Sequence, residues 1–337
     1  MDKVRLGNSD LMVSRMTLGC WTFGSASDSY WGAQEAKESE ALLNRAIELG
    51  VNFYDTAFVY NDGNAEKELG KVVKKYALRD KMIICNKIPQ QSYDDLPLYQ
   101  KKVEDSLKRL DIDVLDVLLM HWPCNDKELL KRNLEKLQSV KDKGLVREIG
   151  VSNFGVGQMQ IAKDMGVDIT VNELAYNAIH RGAELAVFPY CERNDIGVMA
   201  YMPLMQGILS GKYNSIEEIP VIRRRTIHFD SVGNDQIRHG GRGMEKELGI
   251  FLQNLRALSA ESGLKCSELC TSWILSHSAV TTVLGGARTT EQLESNVKAI
   301  ETKLPEDLIR KMDEISAPIA ALCGANCDLW QWNSRIW

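Results

Sequence analysis

The chain has 337 residues, of which 44% are hydrophobic and 26% charged, and its formal net charge at pH 7 is -5. This composition is ordinary for a soluble globular protein and allows one large α/β domain or two smaller ones. The acidic balance argues against a nucleic-acid binder, which usually carries a basic face. No apolar run approaches the roughly 18 residues that a membrane span needs, and the polar start differs from a signal peptide, so we expect neither.

Eight cysteines are scattered along the chain. A protein of this size does not need disulfides to hold its core, so we expect reduced thiols and a cytoplasmic location. Cys266 and Cys270 fall in a helical stretch and are predicted to pack as small apolar side chains. Cys323 and Cys327 lie in a tail segment and could oxidise or bind a metal, but no histidine near them in the sequence completes a zinc set. We therefore predict no metal site.

The chain begins with a predicted β-hairpin over residues 3–19, around the turn GNSD. Beyond it, short apolar strands alternate with amphipathic helices, a pattern typical of parallel strands joined by right-handed crossovers. Strands are predicted at Met16–Gly19 and near 53–57, 82–88, 114–120, 146–151, 169–174, 197–202 and 281–285. Helices are predicted near 36–49, 65–76, 96–110, 126–143, 156–165, 183–194, 265–277, 289–300 and 306–316. Eight strand–helix units without a linker-like break predict a single (β/α)8 TIM barrel domain over residues 1–337.

Two segments stand outside this alternation. Residues 206–244 are too long and too polar for a simple connection after the seventh strand, so they form either a functional lid or a mobile insertion. The three arginines at 223–225 either contact cofactor phosphates or form a solvated basic run. The tail at 318–337 carries three tryptophans, and we expect it to fold over the active-site face of the barrel.

Three consecutive strands each end in one titratable residue: Asp55, Lys87 and His121. Tyr60 lies in the loop that follows Asp55. Taken singly, these are common features: a capping acid, a packing tyrosine, a lysine that reaches solvent and a hydrogen-bonded core histidine. The active site of a TIM barrel forms at the C-terminal ends of its strands, so all four side chains are predicted to meet there.

The residue types indicate a chemistry. Tyrosine ordinarily has a pKa near 10, and an ammonium beside it lowers that pKa, so Lys87 is predicted to tune Tyr60 as a general acid. Asp55 would hold Lys87 charged, and His121 Nε2 would hydrogen-bond a substrate carbonyl. A tuned acid and an oxyanion donor, without a metal or a covalent nucleophile, suit hydride transfer from a nicotinamide to a carbonyl.

The motifs DTAFVY, IICNKIP and LLMHWP resemble the aldo-keto reductase superfamily. So do TLGCWTFG, GVSNF, AYMPLMQGILSGKY and LGGARTTEQLESN, in the expected order over nearly the whole chain. The resemblance implies a (β/α)8 barrel, an oxidoreductase activity with NAD(P)(H), and a catalytic tetrad at Asp55, Tyr60, Lys87 and His121, with Tyr60 as the general acid.

The resemblance also implies a set of cofactor-binding residues. In it, Ser152 and Asn153 bind the nicotinamide carboxamide, Tyr201 stacks on the ring, and Arg288 binds the 2′-phosphate, which favours NADP(H) over NAD(H). The full set is Ser152, Asn153, Glu173, Tyr201, Leu204, Gln206, Gly207, Gly286, Arg288, Gln292 and Asn296.

Some positions depart from the family pattern. Glu173 stands where glutamine is usual, so its contact with the carboxamide loses a donor. Met202 replaces serine beside the pyrophosphate, and Ser295 replaces a glutamate that contacts adenine. Asn61 and Ala65 replace glycine and serine after the tyrosine. These departures leave NAD(H) possible.

The substrate prediction rests on aromatic residues in the loops near the pocket: Trp21, Trp31 and Trp122. Aromatic faces stack on the C–H faces of sugars as well as on aryl aldehydes, so we predict a sugar, polyol or cyclitol. An aldehyde and ketone reductase of broad specificity is one alternative. A nicotinamide-sensing regulatory subunit, as in potassium-channel β-subunits, is another. We expect a small-molecule partner and neither nucleic acid nor membrane, while the sequence is compatible with a monomer or a homo-oligomer.

Overall fold

The fold is a closed barrel of eight parallel strands, seen in a computed structural model that describes residues 1–26, 32–89, 95–235 and 237–337. Two short antiparallel strands precede it, β1 (Lys3–Arg5) and β2 (Met12–Ser14). The barrel strands are β3 (Met16–Gly19), β4 (Phe53–Asp55), β5 (Ile83–Ile88), β6 (Leu115–Met120), β7 (Val146–Ser152), β8 (Val171–Ala175), β9 (Gly197–Tyr201) and β10 (Val280–Gly285). Neighbours in sequence are neighbours in the barrel, and β10 pairs with β3 to close it. The predicted TIM barrel is confirmed.

The helices surround this barrel. They are α1 (Ala36–Glu48), α2 (Asn64–Lys75), α3 (Leu96–Leu110), α4 (Lys127–Asp142), α5 (Val156–Asp164), α6 (Val187–Arg193), α7 (Glu245–Ser262), α8 (Cys266–Ile274), α9 (Thr290–Glu301) and α10 (Glu306–Cys323). Within the described ranges, none of them has the length and apolar character needed to cross a membrane.

Side-chain caps fix where several helices begin. Asp95 accepts a hydrogen bond from Leu98 N (2.9 Å) at the start of α3. Asp126 does the same for Leu129 N (2.8 Å) at the start of α4. A carboxylate at this position satisfies a backbone N–H that has no partner within the helix, so it ends the preceding loop at a defined residue.

The β1–β2 hairpin closes the N-terminal end of the barrel. Its apolar residues Leu6, Leu11 and Val13 are buried with side chains that line the barrel interior. Gly7 has φ +51°, and a Cβ there would lie 2.0 Å from Thr170 O, so the close approach of the hairpin requires glycine. Because this end is plugged, the polar site lies at the opposite, C-terminal end.

The long loop between β9 and α7 is bound to the rest of the molecule. Ile227 N donates to Leu329 O of the tail (3.0 Å). Arg224 donates to the carbonyl oxygens of Ile219 (2.8 Å) and Glu217 (2.9 Å), so this arginine stabilises the loop itself. Neither of the roles predicted for the three arginines, a phosphate contact or a solvated run, describes Arg224.

The tail lies over the C-terminal face of the barrel, as predicted. Trp337 O accepts hydrogen bonds from Gly157 N (3.0 Å) and Gln158 N (3.3 Å) at the start of α5. A Cβ on Gly155 would lie 2.3 Å from Trp337 O, so the absence of a side chain there leaves room for the tail. The helix N-terminus thereby gains an acceptor for N–H groups that would otherwise lack one.

Helix α10 is longer than its sequence prediction. It continues past 316 and through Pro318 to Cys323, so Cys323 is helical and lies before the tail begins. Proline removes one backbone hydrogen bond. The buried stripe formed by Met312, Ser316, Ile319 and Cys323 nevertheless continues at helical spacing, and its packing maintains the helix.

Candidate active site

A buried ion pair lies at the centre of the C-terminal end of the barrel. Lys87 Nζ is 2.6 Å from Asp55 Oδ1 and 2.5 Å from Asp55 Oδ2. The register of β4 against β5 pairs Asp55 with Cys85, and strand alternation turns Lys87, two residues on, into the interior. Asn86 points the other way and donates to Glu66 of α2 (2.7 Å).

Tyr60 reaches this pair from the loop after β4. Its hydroxyl oxygen is 3.2 Å from Lys87 Nζ, which donates to it. The next two residues, Asn61 and Asp62, have φ of 48° and 53°, a left-handed turn that non-glycine residues rarely adopt. Asn61 Nδ2 stabilises the turn by donating to Trp21 O (2.7 Å) and to Phe23 O. This contact gives the asparagine, a departure from the family pattern, a structural role.

His121 follows β6 and faces the tyrosine. The two ring centroids are 5.9 Å apart, with the rings edge to face. Burial lowers the pKa of His121 to about 3, and the charge of Lys87 lowers it further in the same direction. The imidazole is therefore neutral at pH 7, and it carries one N–H that can donate to a substrate oxygen.

Glu173 is a fifth titratable group at this centre. On β8, Val171 lies in the barrel interior and Glu173, two residues on, points to the same side. Glu173 Oε2 is 3.4 Å from Lys87 Nζ, so two carboxylates share one ammonium. Burial raises the pKa of Glu173 to about 8, against the effect of Lys87. Sequence reasoning placed Glu173 only beside the cofactor; the period-two alternation along β8 was the signal that it also faces the lysine.

The pKa of Tyr60 is raised, which contradicts the lowering expected from the sequence. Burial is the largest cause; Lys87 opposes it, and the two carboxylates Asp55 and Glu173 add to it. The predicted effect of the ammonium is present but smaller than the penalty of burying a phenolate. Lys87 itself loses charge stabilisation by burial, but Asp55 and Glu173 outweigh this and hold the pKa of Lys87 well above its usual value.

The residues predicted to bind nicotinamide form a hydrogen-bonded row across β7, β8 and β9. Tyr201 OH donates to Asn153 Oδ1 (2.8 Å), and Asn153 Nδ2 donates to Ser152 Oγ (2.9 Å). Ser152 Oγ in turn donates to Glu173 O (3.2 Å). Asn153 has φ 62°, a left-handed conformation that is unfavourable for a non-glycine residue and often occurs at functional sites.

The loop after β9 continues this surface with Leu204, Gln206 and Gly207. Gln206 and Gly207 have φ of 59° and 86°. The side-chain amide of Gln206 is buried, and neither its oxygen nor its nitrogen has a hydrogen-bond partner within the described part of the chain. A buried amide without partners is unfavourable by about 1–3 kcal/mol, so this site fits a polar group of a bound dinucleotide.

Three of the predicted cofactor-binding residues lie in α9 or in the loop before it: Arg288, Gln292 and Asn296. Arg288 N donates to Gln292 Oε1 (2.9 Å), and Asn296 Nδ2 donates to Gly286 O (3.0 Å). The Arg288 guanidinium donates to Ala33 O across the barrel rim. A helix N-terminus with an adjacent guanidinium suits a phosphate.

Of the three predicted substrate tryptophans, two lie in the described part of the chain at the mouth of the site. Trp21 stacks on Tyr60 with ring centroids 5.6 Å apart and planes at 18°, and it remains 42% exposed. Trp122, directly after His121, lies beneath the guanidinium of Arg335, 3.9 Å from its ring centroid. Trp31 lies outside the described residues.

Comparison with known proteins agrees with this geometry. The profile of the Aldo/keto reductase family matches residues 15–317. A probable voltage-gated potassium channel subunit beta of Arabidopsis thaliana is 29% identical over 316 residues, which cover 89% of this chain and 92% of that protein. The NADH-specific methylglyoxal reductase of Escherichia coli (strain K12) is 27% identical over 336 residues, which cover 93% and 99%.

Among solved structures, the glycerol dehydrogenase of Gluconobacter oxydans is similar with a TM-score of 0.76 and 26% identity, covering 94% of this chain and 95% of that one. The family profile spans most of the chain, from the first barrel strand into the last helix. The chain therefore belongs to the Aldo/keto reductase family and is an oxidoreductase.

Proposed function

We propose that the protein transfers a hydride between a nicotinamide cofactor and a carbonyl or alcohol substrate, with Tyr60 as general acid and base. The observation that carries this proposal is the contact of Tyr60 OH with Lys87 Nζ at 3.2 Å, at a lysine that Asp55 holds charged. Tyr60 is the proton donor that faces the mouth of the site, beside a neutral histidine.

Each of these side chains has a separate part in the reaction. A nicotinamide bound at this site would supply the hydride in reduction and accept it in oxidation. Tyr60 gives its proton to the carbonyl oxygen in reduction, and Lys87 stabilises the phenolate that remains. The neutral imidazole of His121 donates a hydrogen bond to the same oxygen as negative charge develops there.

For the cofactor we propose NADP(H), with NAD(H) as the alternative. Ser152, Asn153 and Gln206 would hold the nicotinamide half, and Arg288 supports NADP(H) because it adds a cation at the N-terminus of α9. The NADH specificity of the related methylglyoxal reductase supports the alternative.

For the substrate we propose a sugar, polyol or cyclitol. The half-exposed face of Trp21 over Tyr60 supports this class because it offers a stacking surface beside the proton donor. The similarity to a glycerol dehydrogenase, whose substrate is a polyol, supports it as well.

For the location we propose the cytoplasm. All eight cysteines are free thiols, which agrees with this proposal.

The test is a panel of aldoses, inososes and aryl aldehydes, assayed with NADPH and NADH by nicotinamide absorbance. Wild type should turn over members of the sugar or cyclitol group, and Tyr60→Phe should be slower by about 10²–10⁴-fold. Activity on aryl aldehydes alone would contradict the substrate class. Equal inertness of wild type and variant would favour the regulatory role suggested by the channel-subunit relative.

A further inference from the structure

We propose that His180, His228 and Cys323 form a zinc site, with the backbone oxygen of Ile179 as its fourth ligand. The three side chains come from the loop after β8, the long loop after β9 and the last residue of α10. All three are buried, and their candidate ligand atoms lie within 4.8 Å of one another. None of these four residues belongs to the tetrad of Asp55, Tyr60, Lys87 and His121.

The distances fit tetrahedral coordination. Zinc bonds of about 2.3 Å to sulfur and about 2.0–2.2 Å to nitrogen or oxygen place neighbouring tetrahedral ligands about 3.3–3.6 Å apart. Cys323 Sγ is 3.6 Å from His228 Nε2 and 3.6 Å from Ile179 O. His228 Nε2 is 3.2 Å from Ile179 O. Three of the four donors therefore already have the spacing expected of three corners of such a tetrahedron.

His180 gives an independent indication of a ligand. Its side chain is buried, and neither ring nitrogen has a partner in hydrogen-bond geometry within the described part of the chain, although the backbone of Cys327 lies close. A buried imidazole without a partner is unfavourable. Coordination by one nitrogen would satisfy it and leave the other N–H to face the Cys327 backbone, the outer-shell contact that metal-bound histidines usually make.

His228 has the corresponding outer contact. Its Nδ1 lies 3.1 Å from Thr226 Oγ1, so with Nε2 on the metal, the Nδ1–H would donate to that hydroxyl. An imidazole whose outer nitrogen carries the proton offers the lone pair of its other nitrogen to the metal. The Cys323 thiol would release its proton to solvent on binding, because the thiolate is the ligand.

Two imidazoles, one thiolate and one carbonyl suit Zn(II) better than the harder cations Mg(II) or Ca(II). Four protein donors leave no open position, which indicates a structural role. The metal would join the end of α10 to the long loop that carries Gln206 and contacts the tail through Ile227. Zinc is therefore expected to stabilise the long loop after β9 and the tail, which lie over the C-terminal face of the barrel.

The experiment uses the full chain, freed of metal with a chelator and titrated with Zn(II) against a chromophoric competitor. Wild type should bind one Zn(II) per chain, and Co(II) in its place should show a thiolate-to-metal charge-transfer band. Cys323→Ala and His180→Phe should each weaken Zn(II) binding at least about tenfold and abolish the rise in thermal midpoint that zinc gives wild type. Cys327→Ala is the matched control, since it removes a buried cysteine four residues away that is outside the set.

Wild-type affinity no higher than that of His180→Phe would overturn the proposal, as would an equal loss in Cys327→Ala. If Cys323→Ala unfolds, as circular dichroism would show, His180→Phe still decides the matter, because neither nitrogen of the His180 ring is in hydrogen-bond geometry with another described residue. A Co(II) complex without the charge-transfer band would exclude Cys323 as a ligand and overturn the site as assigned.

Discussion

At the scale of residues, the site depends on one buried ammonium placed between two carboxylates. Asp55 holds Lys87 through both oxygens, whereas Glu173 approaches with one oxygen at 3.4 Å. Charges are costly to bury unless they are paired, so the shorter contact fixes the charged state of Lys87. Because the contact with Glu173 is longer, Lys87 offsets only part of the effect of burial, and the pKa of Glu173 rises to about 8. Glu173 is therefore mostly protonated, and so neutral, at pH 7.

Removing the Asp55 charge should therefore destabilise the fold strongly. Asp55→Asn leaves the buried ammonium of Lys87 without its close counter-ion, and such a loss is worth about 3–5 kcal/mol in the free energy of unfolding. Glu173 can take over part of the pairing, which places the expected value at the lower end. Urea unfolding measures it.

The control for Asp55→Asn is Glu294→Gln, which breaks the exposed pair between Glu294 and Arg45. Exposed pairs contribute about 0–1 kcal/mol because water screens them. Similar losses in the two variants would contradict the central role of the buried pair.

Glu173 predicts a pH dependence of stability. Its folded pKa of about 8 lies above the ordinary value of 4.5, so the folded state binds the proton more tightly and this contribution is lost as pH rises from about 4.5 to 8. Glu173→Gln cannot titrate. The free energy of unfolding of Glu173→Gln, relative to that of wild type, should therefore rise by up to a few kcal/mol across that interval. Above pH 8 the difference between the two proteins should stay constant.

Urea midpoints in a series of buffers from pH 4.5 to 9 provide the measurement. The neighbouring β8 variant Asn172→Ala serves as a control, since it changes a buried amide on the opposite face of the strand without removing a titrating group. A constant difference between Glu173→Gln and wild type over the whole range would show that Glu173 is ionised throughout.

At the residue scale, the sequence predicts only those features of the site that follow from the geometry of the strands. Asp55, Lys87 and His121 were predictable because consecutive parallel strands end at one face. The raised pKa of Tyr60 was not, because it depends on burial and on Glu173 across the barrel. The grouping of His180 with Cys323 was hidden in the same way, since nothing local in either segment refers to the other.

At the scale of elements, the loops at the C-terminal ends of the strands carry the left-handed residues of the site. Asn61 after β4, Asn153 after β7 and Gln206 after β9 all have positive φ. Such conformations are unfavourable for non-glycine residues and persist where the surrounding structure holds them, often at functional sites. The sequence indicated most of the strands and helices because their periodicity is local. No helix was predicted over α7 (Glu245–Ser262), and the end of α10 was missed as well, because there the packing of Ile319 and Cys323 outweighs the effect of Pro318.

The N-terminus of α9 should decide the choice of cofactor. Arg288→Ala removes the cation beside this helix, and the loss should weaken NADPH binding at least about tenfold while leaving NADH binding nearly unchanged, because only NADPH carries the 2′-phosphate. Fluorescence titration gives the dissociation constants for NADPH and NADH, and hence the ratio of the two affinities. Arg310→Ala, on the exposed face of α10, is the control; a wild-type NADPH to NADH ratio in Arg288→Ala would contradict the assignment.

At the scale of the whole molecule, the apolar packing of the barrel interior and the candidate active site lie at opposite ends of the barrel. The β1–β2 hairpin and apolar side chains fill the N-terminal half of the interior, while the C-terminal end carries the ion pair, the loop after β9 and the tail. The pairing order of the strands, which follows the chain, brings Asp55, Lys87 and His121 onto three adjacent strands. We propose that these strands form a single proton-transfer unit in which Asp55 acts through Lys87 on Tyr60.

A double-mutant cycle on carbonyl reduction tests this claim most directly, with single-turnover rates measured for wild type, Tyr60→Phe, Asp55→Asn and the double variant at saturating cofactor. Groups that act as one unit give non-additive losses. Asp55→Asn should slow wild type at least about tenfold, yet the double variant should be no slower than Tyr60→Phe, whose loss is about 10²–10⁴-fold. Losses that multiply in the double variant would show that Asp55 and Tyr60 act independently and would contradict the account.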